Sequence, residues 1–175
     1  MVTFMAWCTT EELKPHPFSG FTILAEHMRP NSRGHVRIKS ANPKTAPEIL
    51  FNFFSVEEDR QAALAGLKFG RKIAQTQPMA SCIEQELTPG TDVHTDEALL
   101  QYCRASGLSL LHPVGTCRMG EDVSSVVDSR LRVRGVAGLR VIDASIMPRI
   151  VTGNTNAATI MIGEKGAAMV LEDNR

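Results

Sequence analysis

The chain has 175 residues, 43% hydrophobic and 22% charged, the balance of an ordinary folded domain and not of a disordered or fibrous one. Nineteen Lys and Arg stand against nineteen Asp and Glu, so no electrostatic footprint draws it to nucleic acid or to an anionic membrane. No apolar run approaches the ~20 residues of a membrane span and no basic-then-apolar leader opens the sequence, which makes a cytoplasmic location the default expectation, although loss of an upstream targeting segment would look the same.

Met1 to Pro17 carries no sustained period and ends in two prolines, as an entry loop or the cut end of something longer would. Phe21-Thr22-Ile23-Leu24 reads as a strand, Arg29 to Gly34 as a turn, and Val36-Arg37-Ile38-Lys39 as a half-buried strand, together a hairpin or a sheet edge. Arg29 and Arg33 fit an anion site less well than a structural tie to carboxylates of the sheet. After the turn Ala41 to Lys44 a further strand is expected at Ile49 to Phe53. Ser55-Val56-Glu57-Glu58 then has capping-box spacing, and apolar or small residues at three and four apart predict a helix from Val56 to Gln75. That helix buries Ala63, Leu64, Leu67, Gly70, Ile73 and Ala74 and exposes Arg60, Lys68, Arg71 and Lys72.

Thr95 caps a shorter predicted helix through Leu99, Leu100 and Cys103 that Gly107 ends. Glycine-punctuated loops follow, then a short strand Leu139 to Ile142 and a last helix from Ala157 to Leu171. Its packing face is expected to be Ala157, Ile160, Met161, Gly163, Ala167, Ala168 and Leu171, with Glu164 and Lys165 toward water or a salt-bridge partner.

Several chemistries lose their support. No two glycines stand two apart, so the dinucleotide fingerprint is absent; Gly115 and Gly120 have P-loop spacing, but Glu121 occupies the lysine position. There is no HExxH, and Cys8, Cys82, Cys103 and Cys117 form no CxxC pair, so no metal site is expected and the thiols read as reduced, Cys117 included.

Two constellations remain. His112 lies in Leu110-Leu111-His112-Pro113-Val114-Gly115-Thr116-Cys117-Arg118-Met119-Gly120, a frame that fixes the imidazole by backbone constraint; a neutral ring there suits a general base, and a core histidine bonded to a carbonyl fits the same residues. Asp143-Ala144-Ser145 follows the last expected strand, and Gly153-Asn154-Thr155-Asn156-Ala157 opens the last helix, where N–H groups and amides suit a developing negative charge or a carbonyl-rich ring. An Asn N-cap explains one of the two asparagines.

In this order, His112 to Gly120, Val127 to Val136, Gly138 to Ser145, Gly153 to Asn156 and Met161 to Lys165 resemble the C-terminal signature of the glucose-methanol-choline oxidoreductases. Arg29 to Val36 is similar to the start of that family's C-terminal region, so the resemblance covers the chain from about residue 18. It implies a flavoenzyme that oxidises an alcohol by passing hydride to FAD. It further implies His112 as the proton-accepting base and Asn154, the variant of the choline-type branch, as the holder of the substrate oxygen. Asp143 and Ala144 would approach the FAD diphosphate or ribityl chain, and Asn154, Thr155, Asn156 and Ala157 the isoalloxazine ring.

The expected fold is α+β: a substrate-domain portion over residues 1–111, an antiparallel sheet with helices on one side. The resemblance implies that residues 112–175 are an active-site loop and a return segment that would complete an FAD-binding domain. The expected partners are a small-molecule alcohol and a separate N-terminal half that supplies most of the FAD site. Two alternatives stand beside it, a truncated fragment inactive alone, whose last helix would expose an apolar face, and a non-catalytic interaction module.

Overall fold

The first strand, β1 (Val2–Ala6), pairs antiparallel with β2 (Phe21–Ala25), from Val2 opposite Ala25 to Ala6 opposite Phe21, in the computed structural model, which describes residues 2–6 and 18–174. The opening stretch, expected as a loop, thus contributes a strand to a sheet that its own weak pattern does not advertise; the remainder of that expectation, with Cys8, lies outside the described residues. A second antiparallel pair joins β3 (His35–Arg37) to β4 (Glu48–Leu50). The fold class is α+β, with antiparallel pairs and three α-helices among the described residues.

Because β2 pairs with β1 and β3 with β4, Arg29 to Gly34 does not close a hairpin between β2 and β3. Its donors go elsewhere: the N–H groups of Asn31 and Ser32 donate to the Asp59 carboxylate at 2.8 and 2.7 Å. Burial works against that charge, but the Ser32 hydroxyl, these two N–H groups and His27, whose Nε2 lies 3.2 Å from Asp59, hold the carboxyl below its ordinary range. Arg33 folds back on the carbonyls of Pro30 and Ser32, a local tie with no carboxylate in it. The expected strand at Ile49 to Phe53 stops at Leu50, since Asn52 and Phe54 both take φ 57, which ends a ladder.

Helix α1 (Glu57–Ala74) packs on β2 and on α2 (Asp96–Ser106), with Leu64, Leu99 and Cys103 buried. Ser55 is not its cap. Val56 holds the N-cap position and no side chain closes it, while three carboxylates, Glu57, Glu58 and Asp59, favour the positive end of the helix dipole. Arg60 and Arg71, expected in water, are half-buried. Arg71 makes a two-pronged contact to Glu86 and donates to the Gly90 carbonyl at 3.0 Å. Thr95 caps α2 as expected, its hydroxyl accepting from Ala98 N at 3.2 Å, and Gly107 ends it.

These elements belong to one compact unit, the described part of Met1–Gly34 with Phe51–Leu108; His35–Leu50 and Ser109–Arg175 make the other. In the second, Val127, Leu131, Ile146, Met147 and Ile162 form a buried core with Val114, Met119, Val141 and Ile142 packed against it. The expected strand at Leu139 to Ile142 is reduced to a single bridge, Arg132 to Arg140, because the chain there is drawn into loop-to-loop bonds: Val133 N donates to Leu139 O and Val141 N to Leu131 O.

Helix α3 (Asn156–Asp173) presents Ala158, Ile162, Gly166 and Met169 to that core. Gly166 sits against the Ile142 side chain, where a Cβ would overlap it. The expected packing face is not the one that meets this unit's core: Ile160, Met161 and Leu171 are 59%, 58% and 65% exposed, with Ala157, Ala167 and Ala168 also exposed. A helix apolar on both sides gives the periodicity no way to choose between them. Arg130 fastens its C-terminal end, donating to Asp173 at 2.6 Å and Glu172 at 3.1 Å, and Arg140 also pairs with Asp173. No helix among the described residues is long and apolar enough to cross a membrane.

Candidate active site

The two constellations of the sequence meet in the second unit through backbone hydrogen bonds. Asp143 accepts from Ser145 N at 2.7 Å and so caps a single 3₁₀ turn, Ala144–Ile146. That turn offers two carbonyls to the histidine loop: Cys117 N donates to Ser145 O at 3.0 Å and Met119 N to Ile146 O at 2.8 Å. On its other side the loop is bonded to the following segment, with Gly120 N to Val127 O at 3.2 Å and Val126 N to Arg118 O at 3.0 Å. Gly115, at φ 90, makes the bend that a side chain would resist. Arg118 pairs with Asp122, whose carboxyl is held well below the usual range first by that guanidinium and then by the Ser124 N–H.

His112 emerges half-buried at the start of this braced loop, preceded by Leu111 at φ 62 and followed by a proline. A leucine with positive φ is a conformational outlier, and here its side chain is 84% exposed. The imidazole Nδ1 lies 3.0 Å from the Thr155 hydroxyl oxygen. Thr155 is 8% exposed and occupies the N-cap position of α3, yet its hydroxyl makes no capping bond. Neither asparagine caps the helix either: Asn154 and Asn156 are both exposed, and among the described residues the Asn154 amide has no hydrogen-bond partner.

The structure thus unites His112, Thr155 and the head of α3, with exposed Asn154 adjoining in the chain. Asp143 and Ala144 are placed differently. The Asp143 carboxylate serves its own turn, and Ala144 packs half-buried against the core. The contact that sequence reasoning missed is His112 with Thr155. It links residues 43 apart through a tertiary packing that no local spacing encodes; the one available signal was a threonine at a helix mouth already occupied by two better capping residues. Among the described residues no group of His, Cys, Asp and Glu is arranged to hold a metal ion.

A family model described as GMC oxidoreductase matches residues 30–163. The chain is 49% identical over 151 residues to the oxygen-dependent choline dehydrogenase of Escherichia coli O157:H7 (strain EC4115 / EHEC), covering 86% of this chain and 27% of that protein. Among solved structures it is similar to pyridoxine 4-oxidase from Mesorbium loti, with TM-score 0.78 and 34% identity over 90% of this chain and 31% of that one. It is also similar to an FAD-dependent oxidoreductase from Chaetomium thermophilum, with TM-score 0.82 and 31% identity over 90% of this chain and 27% of that one. The chain spans about a quarter of the length of the curated relatives it matches.

Proposed function

The chain belongs to the GMC oxidoreductases, an FAD-dependent family, and from that premise we propose that it forms the C-terminal part of a flavoenzyme that oxidises a CH–OH group. The observation that carries this reading is the pairing of His112 with the head of α3, which brings a candidate base, an unpaired amide and a helix N-terminus into one neighbourhood.

The residues suit the cofactor. No side chain caps α3, so the N–H groups of its first turn and the dipole's positive end remain available to a flat ring rich in carbonyl oxygens. Gly153 leaves open space where a Cβ would stand. Asn154, Thr155, Asn156 and Ala157 would line the ring, while Asp143 and Ala144, engaged with their own turn and core, would face the ribityl or diphosphate portion by backbone. When bound, FAD supplies the two-electron acceptor for the hydrogen on the alcohol carbon. His112 takes the hydroxyl proton, and the Asn154 amide donates to the substrate oxygen to fix the alcohol beside it. A positioned base of this kind is worth roughly 10²–10⁴ in rate, or about 3–5 kcal/mol of barrier.

The chain lacks a glycine-rich nucleotide turn, so a separate FAD-binding half is part of the proposal. The exposed Ile160, Met161 and Leu171 face of α3 is the surface we assign to it. Domain division follows the same logic, with residues 1–111 as substrate-domain portion and 112–175 as active-site loop and return segment. The test is co-expression with the upstream portion of the E. coli choline dehydrogenase. Co-purified yellow flavin and dye reduction by choline or a panel of primary alcohols are expected from the pair and from neither part alone. A stable pair without flavin or turnover contradicts the reading.

A further inference from the structure

We propose that Thr155 is a positioning residue for His112: its hydroxyl holds the imidazole in the Nδ1–H tautomer and so leaves Nε2 as the nitrogen that takes the substrate proton. The inference deepens the reading of His112 as base and rests on it.

Three observations converge. The Nδ1 to Oγ1 distance of 3.0 Å is that of a direct hydrogen bond. Thr155 is only 8% exposed, so its hydroxyl depends on a protein partner, and the ordinary partner for a residue in its position, an N–H of the first helical turn, is not used. The ring is also constrained along the chain, because Leu111 at φ 62 and Pro113 restrict the backbone on both sides of His112.

Chemistry decides the direction of the bond. A hydroxyl oxygen accepts as readily as it donates, so it can receive Nδ1–H both when the imidazole is neutral and when it is an imidazolium. A proton can then enter and leave at Nε2 with no rearrangement at Nδ1. In the opposite arrangement Oγ1–H would donate to Nδ1, Nε2 would already carry hydrogen, and the ring would have no lone pair to offer an alcohol. A neutral hydroxyl also orients the ring without placing a second charge beside it. Valine, which matches threonine in shape, would keep the packing and remove the bond.

The experiment reads the tautomer itself and needs no flavin. Long-range ¹H–¹⁵N correlation spectra of the histidine rings are recorded for the full chain at about pH 8.5, where an ordinary imidazole is neutral, with His112→Gln assigning the resonance. The expected result is a protonated Nδ1 in the wild type and in Thr155→Ser, and in Thr155→Val a shift to the Nε2–H form that free imidazole favours. An Nε2–H ring in the wild type, or the wild-type pattern persisting in Thr155→Val, overturns the proposal. Should Thr155→Val not fold, the wild-type and Thr155→Ser patterns decide it by the same criterion. The two readings fail separately: an inactive reconstituted enzyme whose His112 keeps Nδ1–H contradicts the function proposed above, and an active one with Nε2–H contradicts only the role of Thr155.

Discussion

Both faces of α3 carry large apolar side chains, but their surroundings are opposite. One carries Ile162 at 6% exposure and Gly166 pressed onto Ile142; the other carries Ile160, Met161 and Leu171, each more than half exposed. The two leucines with positive φ repeat the contrast. Leu131, at φ 63, is 4% exposed in the core, where burial offsets an unfavourable backbone, whereas Leu111, at φ 62, is 84% exposed and nothing in its own unit offsets it. The C-terminal unit therefore buries one apolar face of α3 and one strained leucine, and leaves their counterparts exposed. Large apolar side chains exposed together along a helix mark a contact surface. The exposed face is the one proposed above for an FAD-binding half.

The contrast can be broken first at the helix. Ile162→Ala should destabilise the chain by about 2–5 kcal/mol, because the core around it cannot collapse into the space. Ile160→Glu should stay within about 0.5 kcal/mol of the wild type and reduce self-association. Urea titration and light scattering measure both. Equal losses at the two positions would mean that the exposed face is packed in the isolated chain. A smaller effect is expected at Leu111: replacement by Gly, which adopts positive φ freely, should leave stability unchanged or raise it by up to about 1 kcal/mol, glycine's greater unfolded freedom working against the relief. A loss above 1 kcal/mol in the same titration would show that the leucine side chain is in contact after all.

Local signals carried the helices well. Thr95 and Gly107 bracket α2 because a hydroxyl cap and a terminal glycine are local chemistry, and α1 falls within a residue of its expected limits at both ends. Pairing was less legible. Nothing in Arg29 to Gly34 announces that its N–H groups go to Asp59, 27 and 28 residues on, and this tertiary bond is what replaces the hairpin. The bridge at Arg140 has strand-like residues whose ladder partners are loops. In the site, His112 and Asn154 stood out by residue type and ordered motif. The contact of His112 with Thr155 stands on a loop that the 3₁₀ turn Ala144–Ile146 anchors through the carbonyls of Ser145 and Ile146, and main-chain acceptors leave no trace in a residue pattern.

The account turns on His112 as the base. Its most direct measurement is the turnover of His112→Gln in the enzyme reconstituted with a separate FAD-binding half, with flavin content read on the same sample. Flavin absorbance should match the wild type while kcat falls by roughly 10²–10⁴. Full flavin with kcat within about threefold of the wild type would contradict the assignment, since loss of a positioned base is worth at least ~10².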